Sequence, residues 1–387
     1  MKKNILYFCS VSKLDSGMPL STLRLVKIFK DDYNVMVTLS EKGEMSEELD
    51  KIGVKYKILN FRRLKEFRNL KEFILFLFQI IPAQWRLFRL IKTNKIQVVH
   101  FSDIIDLPFF ATAKISGAKV VSHLRVILNG KTFIKKLYLF LIRNFVDRVI
   151  CVSNAVKDEM FSSIDEWEKV NVVHNPAPEI VETQCIASLS LLNVVKNDKN
   201  FKVCYISKFV KVKGHKNLLE VAKIIRDSGI KDISYYIIGG QEEGHKDYFE
   251  SFISKMKEYS LSNAIKLVGK LTHNQTIAIL NECDILVHLP DYQEPFPRVI
   301  MEAFALGKPV IAYKCGGIPE LLQDGKNGFL TSVGDFDSIA KKIIEFKADK
   351  EKMICMGQFA REFLYEKFDE KLFRNKIVTI YEELFKI

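Results

Sequence analysis

The chain has 387 residues, 48% of them hydrophobic and 27% charged, a globular balance that predicts about two domains and excludes wholesale disorder. Its net charge of +12 is uneven: residues 1–180 hold 29 Lys and Arg against 19 Asp and Glu, whereas the remainder holds 30 against 28. The seven cysteines are scattered and never form a Cys-x-x-Cys pair, which argues against a disulfide framework or a zinc site.

The chain opens MKKNILYFCSVS. Its short apolar run, followed by Lys13 and Asp15, reads as a first β-strand and not as a signal peptide. No run reaches the roughly 18 apolar residues of a membrane-spanning helix, so a cytoplasmic setting is expected. Apolar runs at Asn4–Cys9, Tyr33–Thr38, Gln97–Phe101, Lys119–His123 and Val146–Val152 read as buried strands. Helical patterns such as Pro19–Phe29, Phe73–Lys92 and Phe109–Ser116 lie between them. Strands that are apolar throughout and separated by helices predict a parallel sheet covered on both faces. Residues 181–199 lack clear periodicity and read as a linker. A second strand series follows at Lys202–Ile206, Ser234–Gly239, Ala264–Val268, Ile285–Leu289, Pro309–Tyr313 and Gly328–Thr331. The expected fold is α/β, with two doubly wound Rossmann-like domains over residues 1–180 and 200–364, facing each other across a cleft. Ligands of such sheets sit at the carboxyl ends of the strands, so the loops that follow strands are where chemistry is expected.

The excess positive charge has a location. Residues 61–95 contain nine Lys and Arg and two Glu among many Phe, Leu and Ile, and residues 131–149 repeat that pattern. Basic amphipathic helices carrying aromatics suit an anionic membrane surface. Packing of the apolar face on the sheet with a solvated basic face is the other reading, and both stay open. Nucleic acid is not an expected partner, because no recognisable nucleic-acid motif is present.

Three loops of the second half carry candidate chemistry. After the strand Ile285–Leu289, Glu294 precedes a helix expected from about Arg298 to Leu306, with Glu302 inside it and Gly307 at its C′ position. Free amides at such a helix start favour an anion or sugar hydroxyls, and a carboxylate beside them accepts hydrogen bonds from hydroxyls. After the strand Lys202–Ile206, the residues Lys208, Lys211, Lys213, His215 and Lys216 crowd one loop, with Gly214 allowing close backbone approach. Basic groups at a strand-to-helix turn suit a diphosphate. Gly316 and Gly317, followed by Pro319 and Glu320, mark a further loop that enters a helix. On spacing alone, solvated loop charges explain these residues equally well.

Taken in order, these pieces resemble the C-terminal domain of glycosyltransferase family 4, retaining transferases of the GT-B fold. The family's Glu-x7-Glu motif matches Glu294 and Glu302, its G-x-P-V-I-A segment matches Gly307–Ala312, and its Gly-Gly-x-x-Glu turn matches Gly316, Gly317 and Glu320. Its D-G-x-x-G-F-L segment matches Asp324–Leu330, and its basic upstream element resembles Ser207-Lys208 with Lys213-Gly214. The first half agrees more faintly, through Gly17 in the first loop, His123 after a strand, Val149–Met160 and His174–Glu179. The last segment, about 365–387, is helical and in the family packs back on the first domain.

The resemblance implies transfer of a sugar from a UDP- or GDP-sugar with retention at the anomeric carbon, with no cofactor and no metal. Lys208 and Lys213 would neutralise the leaving diphosphate, helped by amides near Phe296, Pro297 and Arg298. Glu294 would hold hydroxyls of the donor sugar and Glu302 those of the ribose. His123 would face the donor sugar, and Gly17 would let the first loop approach the phosphates. The acceptor hydroxyl would lose its proton to the departing phosphate oxygen, so no enzymic nucleophile is required. The implied acceptor is a glycan, lipid-linked and made in surface-polysaccharide assembly, and the implied position is peripheral, on the inner face of the cytoplasmic membrane. A nucleotide-sugar epimerase on the same fold, or a non-catalytic sugar-nucleotide-binding protein at a membrane, would share these features. Three features depart from the family pattern. Lys208 stands where the family has Arg and loses the bidentate fork. Pro297 stands where Gly is common and has no N–H to donate. The first loop has a single glycine. The remaining histidines, His174, His215, His245, His273 and His288, show no metal spacing and read as structural or solvated, while a cleft role stays open for His100.

Overall fold

The computed structural model describes residues 2–14, 17–61, 70–128, 132–162, 168–180, 189–242 and 244–386. The chain forms two compact units, one of Met1–Asn175 with Lys371–Ile387 and one of Pro176–Glu370.

In chain order the first unit contains β1 (Asn4–Phe8), α1 (Gly17–Phe29), β2 (Asn34–Leu39), α2 (Glu44–Lys51), β3 (Lys55–Ile58), α3 (Leu70–Thr93), β4 (Val98–Phe101), α4 (Phe110–Ile115), β5 (Lys119–Leu124), α5 (Thr132–Phe145), β6 (Arg148–Cys151), α6 (Asn154–Phe161) and β7 (Val170–Val172). The second contains α7 (Leu189–Asn197), β8 (Phe201–Ile206), α8 (His215–Asp227), β9 (Ile233–Ile238), α9 (Lys246–Glu258), β10 (Ile265–Gly269), α10 (His273–Glu282), β11 (Ile285–His288), α11 (Arg298–Ala305), β12 (Val310–Tyr313), α12 (Ile318–Leu321), β13 (Gly328–Thr331), α13 (Phe336–Ala348) and α14 (Lys350–Lys367). The final helix, α15 (Glu370–Lys386), supplies core residues to the first unit.

Both sheets are parallel, and each reverses its order of addition once. The first runs β3-β2-β1-β4-β5-β6-β7, and the second runs β10-β9-β8-β11-β12-β13. The switch points lie between β1 and β4 and between β8 and β11, where loops diverge to opposite sides and leave a crevice at the strand ends. The central strands β1, β9 and β11 are buried almost along their whole length because helices cover both faces. In the first unit α1, α2 and α15 cover one face, through Val26, Phe29, Leu49, Phe373, Ile377 and Tyr381. The crossovers that build β4, β5 and β6 place α3, α4 and α5 on the other face, where α4 touches both its neighbours.

The boundaries differ from expectation in two places. The units divide at Asn175 and Pro176, and the supposed linker contains α7 at Leu189–Asn197. Residues 181–188, including Cys185, lie outside the described residues. The expected helix from about 365 begins at Glu370, because α14 runs on to Lys367 before the chain turns at Phe368. Two edge strands, β3 and β7, went unread. The sequence KYKI of β3 alternates Lys with apolar residues and is half exposed, as an edge strand tolerates, so it forms no apolar run. Strand β7 is three residues long.

Candidate active site

The second unit concentrates charge at its switch point. Strand β8 ends at Ile206, and the chain then makes a tight turn over Lys211–Lys213 before α8. Gly214 adopts a left-handed φ of 68°, and a Cβ there would stand 1.8 Å from the Leu289 carbonyl oxygen. The turn is thus pressed onto the end of β11 in a way only glycine permits. Asn217 ties the two loops together, donating to the Leu289 carbonyl at 3.0 Å and to Asp291 at 2.7 Å.

Lys213 and Glu294 meet across this junction. The ammonium Nζ lies 3.0 Å from Glu294 Oε2 and donates to the Tyr292 hydroxyl at 2.6 Å, 4.7 Å from that ring's centroid. His288, the last residue of β11, places Nε2 3.7 Å from the same carboxylate. Burial acts to raise the Glu294 carboxyl. The Lys213 charge, aided by His288 and Tyr292, overcomes it and holds the group down at about 2. The carboxylate is therefore ionised and buried, held by one cation.

The Gly316-Gly317 turn fixes Glu294 from below. Gly317 N–H donates to the Glu294 carbonyl at 2.7 Å, and Gly316 N–H donates to the Gln293 side chain at 2.6 Å. Gly316 has φ 54°, and a Cβ would stand 2.1 Å from the Glu294 carbonyl oxygen. The paired glycines thus seat the carboxylate loop. The following motif, Asp324–Leu330, is a turn: Asp324 accepts from Leu330 N–H at 2.9 Å.

Helix α11 starts at Arg298 with Pro297 as its N-cap, and ends before Gly307, whose φ is 67°. Glu302 is buried, 3.4 Å from Arg298 Nη2 and 3.9 Å from His273 Nδ1. Lys208 lies 3.6 Å from Glu242. The Phe296 ring packs edge-on against Phe368, with centroids 5.6 Å apart, so its side chain serves the core of the unit. His215 is buried too, stacked on Phe209 at 4.0 Å, and burial brings it down to about 4, so it adds no positive charge to the lysine loop. Among the sequence candidates, Lys213 and Glu294 fall on the two loops of one switch point, and Arg298 and Glu302 lie on α11, the helix that follows the second loop. Tyr292, Gln293, His273 and His288 join them, without having carried a motif of their own.

In the first unit Gly17 is the exposed first residue of α1. His123 is fully buried near the end of β5, beside His100 of β4. Among the described residues no group of three or more His, Cys, Asp and Glu side chains is arranged to hold a metal ion.

The second unit matches the model of the glycosyl transferases group 1 over residues 193–363. The first matches the glycosyltransferase family 4 model over residues 32–178. The chain belongs to glycosyltransferase family 4. Within that family it is 27% identical over 241 residues to the N-acetyl-alpha-D-glucosaminyl L-malate synthase of Bacillus anthracis, covering 62% of this chain and 60% of that enzyme. An N,N'-diacetylbacillosaminyl-diphospho-undecaprenol alpha-1,3-N-acetylgalactosaminyltransferase of Campylobacter jejuni is 24% identical over 49% of the chain and 46% of its own length. The structure of Anabaena HepE in complex with UDP-glucose superposes with a TM-score of 0.82 over 99% of this chain and 100% of that one, at 23% identity. The fold is thus GT-B, as are the folds of other glycosyltransferase neighbours.

The outward face of α3, α4 and α5 carries exposed aromatic side chains. Phe78 and Trp85 of α3 are 73% and 61% exposed, and Phe133 and Phe140 of α5 are 78% and 60% exposed. Ile81 and Ile115 are exposed on the same layer, and Arg86, Arg89, Lys136 and Arg143 flank them. Residues 62–69 of the basic segment lie outside the described residues. Among the described residues no helix is long and apolar enough to cross a membrane.

Proposed function

We propose that the chain transfers a sugar from a nucleotide-sugar donor, UDP- or GDP-linked, to a glycan acceptor with retention of configuration and without a metal. The observation that carries this reading is the Lys213–Glu294 pair, seated by the Gly316-Gly317 turn at the switch point of the second sheet. Lys213 and Lys208 neutralise the diphosphate, and the amides at the start of α11 add their dipoles. Pro297 contributes none, so donation starts at Arg298. Glu294 accepts hydrogen bonds from hydroxyls of the donor sugar and Glu302 from the ribose. Release of the diphosphate oxygen from the anomeric carbon is matched by attack of the acceptor oxygen on the same face, and the acceptor proton passes to the departing phosphate oxygen. His123 of the first unit faces the donor sugar, and Gly17 gives the phosphates room.

The acceptor is read as lipid-linked, in surface-polysaccharide assembly, and the protein as peripheral on the inner face of the cytoplasmic membrane. The exposed aromatic residues of α3 and α5 amid basic side chains support this, since apolar insertion and cationic attraction add on an anionic bilayer. The Campylobacter relative named above acts on a diphospho-undecaprenol substrate, which supports the same reading.

The test is transfer from a panel of UDP- and GDP-sugars to lipid-linked acceptors, with the anomeric configuration of the product read by NMR. Glu294→Ala and Lys213→Ala are expected to lower turnover at least about 100-fold while the fold survives, the scale of losing one preorganised electrostatic contact. Near-normal turnover in either folded variant would refute the site assignment.

A further inference from the structure

His288, at the end of β11, is 3% exposed, and neither of its ring nitrogens has a protein hydrogen-bond partner. Its Nε2 lies 3.7 Å from Glu294 Oε2, longer than a hydrogen bond. Buried polar groups are rarely left unpaired, so a ring turned toward the carboxylate in this way calls for a bond that the free protein does not make. The Lys213 ammonium, in contrast, is fully engaged at the same carboxylate. It donates to the Tyr292 hydroxyl at 2.6 Å and to the two Glu294 oxygens at 3.0 and 3.3 Å, three acceptors for its three N–H groups.

Binding of a diphosphate changes this balance. A phosphate oxygen bound to Lys213 takes a share of the ammonium that Glu294 holds in the free protein, and it adds negative charge beside a buried carboxylate. A buried carboxylate left short of a cation is costly, so a further donor closing on it is favoured. Burial pushes the Tyr292 hydroxyl far up and the Cys315 thiol up to about 11, so both stay neutral beside Glu294. His215 of α8, which senses the charges of both Lys213 and His288, is brought down to about 4 by burial. Among the described residues around Glu294, His288 is therefore the group left to gain a positive charge near neutral pH, the range in which an imidazole changes state. Hydrogen bonds of this kind are often long in a free enzyme and tighten in its complex.

We propose that His288 is a positioning residue for Glu294: as the diphosphate of a bound donor draws on Lys213, His288 takes up a proton from solvent and donates a hydrogen bond from Nε2 to Glu294 Oε2. Glu294 stays ionised and in place while its cation changes from Lys213 to His288, so one lysine can serve the carboxylate in the free protein and the phosphates in the complex. The proposal rests on the functional reading of Lys213 and Glu294 as donor-binding groups and deepens it. It also couples donor binding to the uptake of a proton, which neither Lys213 nor Glu294 supplies, since both are already charged.

The experiment on full-length protein has two arms. Calorimetric titration with UDP-glucose and GDP-mannose at neutral pH, in two buffers of different ionisation enthalpy, counts the protons taken up per ligand bound. The wild type should take up a large fraction of one proton and His288→Gln close to none, with binding weakened about fivefold, the worth of one hydrogen bond. Binding by the wild type without proton uptake, or equal uptake by both proteins, overturns the proposal. The second arm needs no ligand. Lys213→Met leaves Glu294 to His288 in the free protein. A histidine that gains a carboxylate partner stabilises the fold at low pH and loses that stability as pH rises. From pH 6 to pH 8 the melting temperature of Lys213→Met should therefore fall by about 2–4 °C more than that of Lys213→Met with His288→Gln. An equal pH response in these two variants overturns the proposal, and Lys213→Gln replaces Lys213→Met if the latter does not fold. The expected pH response in a protein that binds no nucleotide sugar would support the exchange of partners and contradict the functional reading alone.

Discussion

Glu294 shows how a single residue links stability to chemistry. Its carboxyl is lowered from 4.5 to about 2 in the folded chain, against the pull of burial, because the Lys213 ammonium is 3.0 Å away. A carboxyl with a lowered folded-state pKa adds stability above its unfolded value, and that stability is lost as pH falls through the window from 4.5 to about 2. Between pH 6 and pH 3 the pair should forfeit about 2 kcal/mol. Urea unfolding of wild type and Glu294→Gln at both pH values checks this: the wild type should lose that much more than the variant. Equal losses would mean that the pair does not set the carboxylate's ionisation. The motif spacing of Glu294 and Glu302 was legible in the sequence, and so was the lysine before Gly214. Tyr292 and His288 were not. One cups Lys213 and the other closes on Glu294 only because the loops after β8 and β11, neighbours in the sheet but far apart in sequence, converge, and no periodicity records that convergence. The inward packing of the Phe296 ring was not legible either: an aromatic ring beside a loop finds its strongest partner in the core, here Phe368.

At the scale of elements, turns carry as much of the site as helices do. In the sequence the Gly316-Gly317 pair marks only a loop that enters a helix, yet its backbone donates to the carbonyl of Glu294 and the side chain of Gln293. Gly316→Ala adds a Cβ 2.1 Å from that carbonyl at a positive φ. The loop must move, so the variant should lose about 2 kcal/mol of stability and bind nucleotide sugar more weakly than the stability loss alone explains. Calorimetric titration of the folded variant would show this, and wild-type affinity would mean that the turn does not seat Glu294. The central strands were readable because burial on both faces makes them apolar throughout, whereas the edge strands β3 and β7 and the helix α7 carry weaker patterns. On α3 and α5 the sequence left packing and membrane contact equally open. The structure shows two stripes: Ile80, Leu87 and Tyr138 are buried, and Phe78, Trp85, Phe133 and Phe140 face outward. Phe78→Ser with Trp85→Ser should therefore abolish sedimentation with phosphatidylglycerol vesicles while leaving the melting temperature within about 2 °C, since exposed side chains contribute little to folding. Unchanged vesicle binding would remove the membrane reading of this face.

For the whole molecule, the uneven charge acquires a division of labour. The nearly neutral second half carries a few lysines at one switch point, which suits a diphosphate without a general cationic field. The first half holds the excess, and its basic side chains flank exposed aromatics on one helical layer. Vesicle binding by that layer should weaken as salt rises from 0.05 to 0.5 M, on the order of the screening expected for surface charges. The central claim is that the second unit binds a nucleotide sugar through Lys213 and Glu294. Thermal unfolding against a panel of UDP- and GDP-sugars tests it most directly. At a hundredfold excess over Kd, a bound ligand stabilises the folded chain by about 2.7 kcal/mol. One or more nucleotide sugars should raise the wild-type Tm by several degrees and fail to do so in Lys213→Ala; a panel that shifts neither protein, or both equally, would contradict the account.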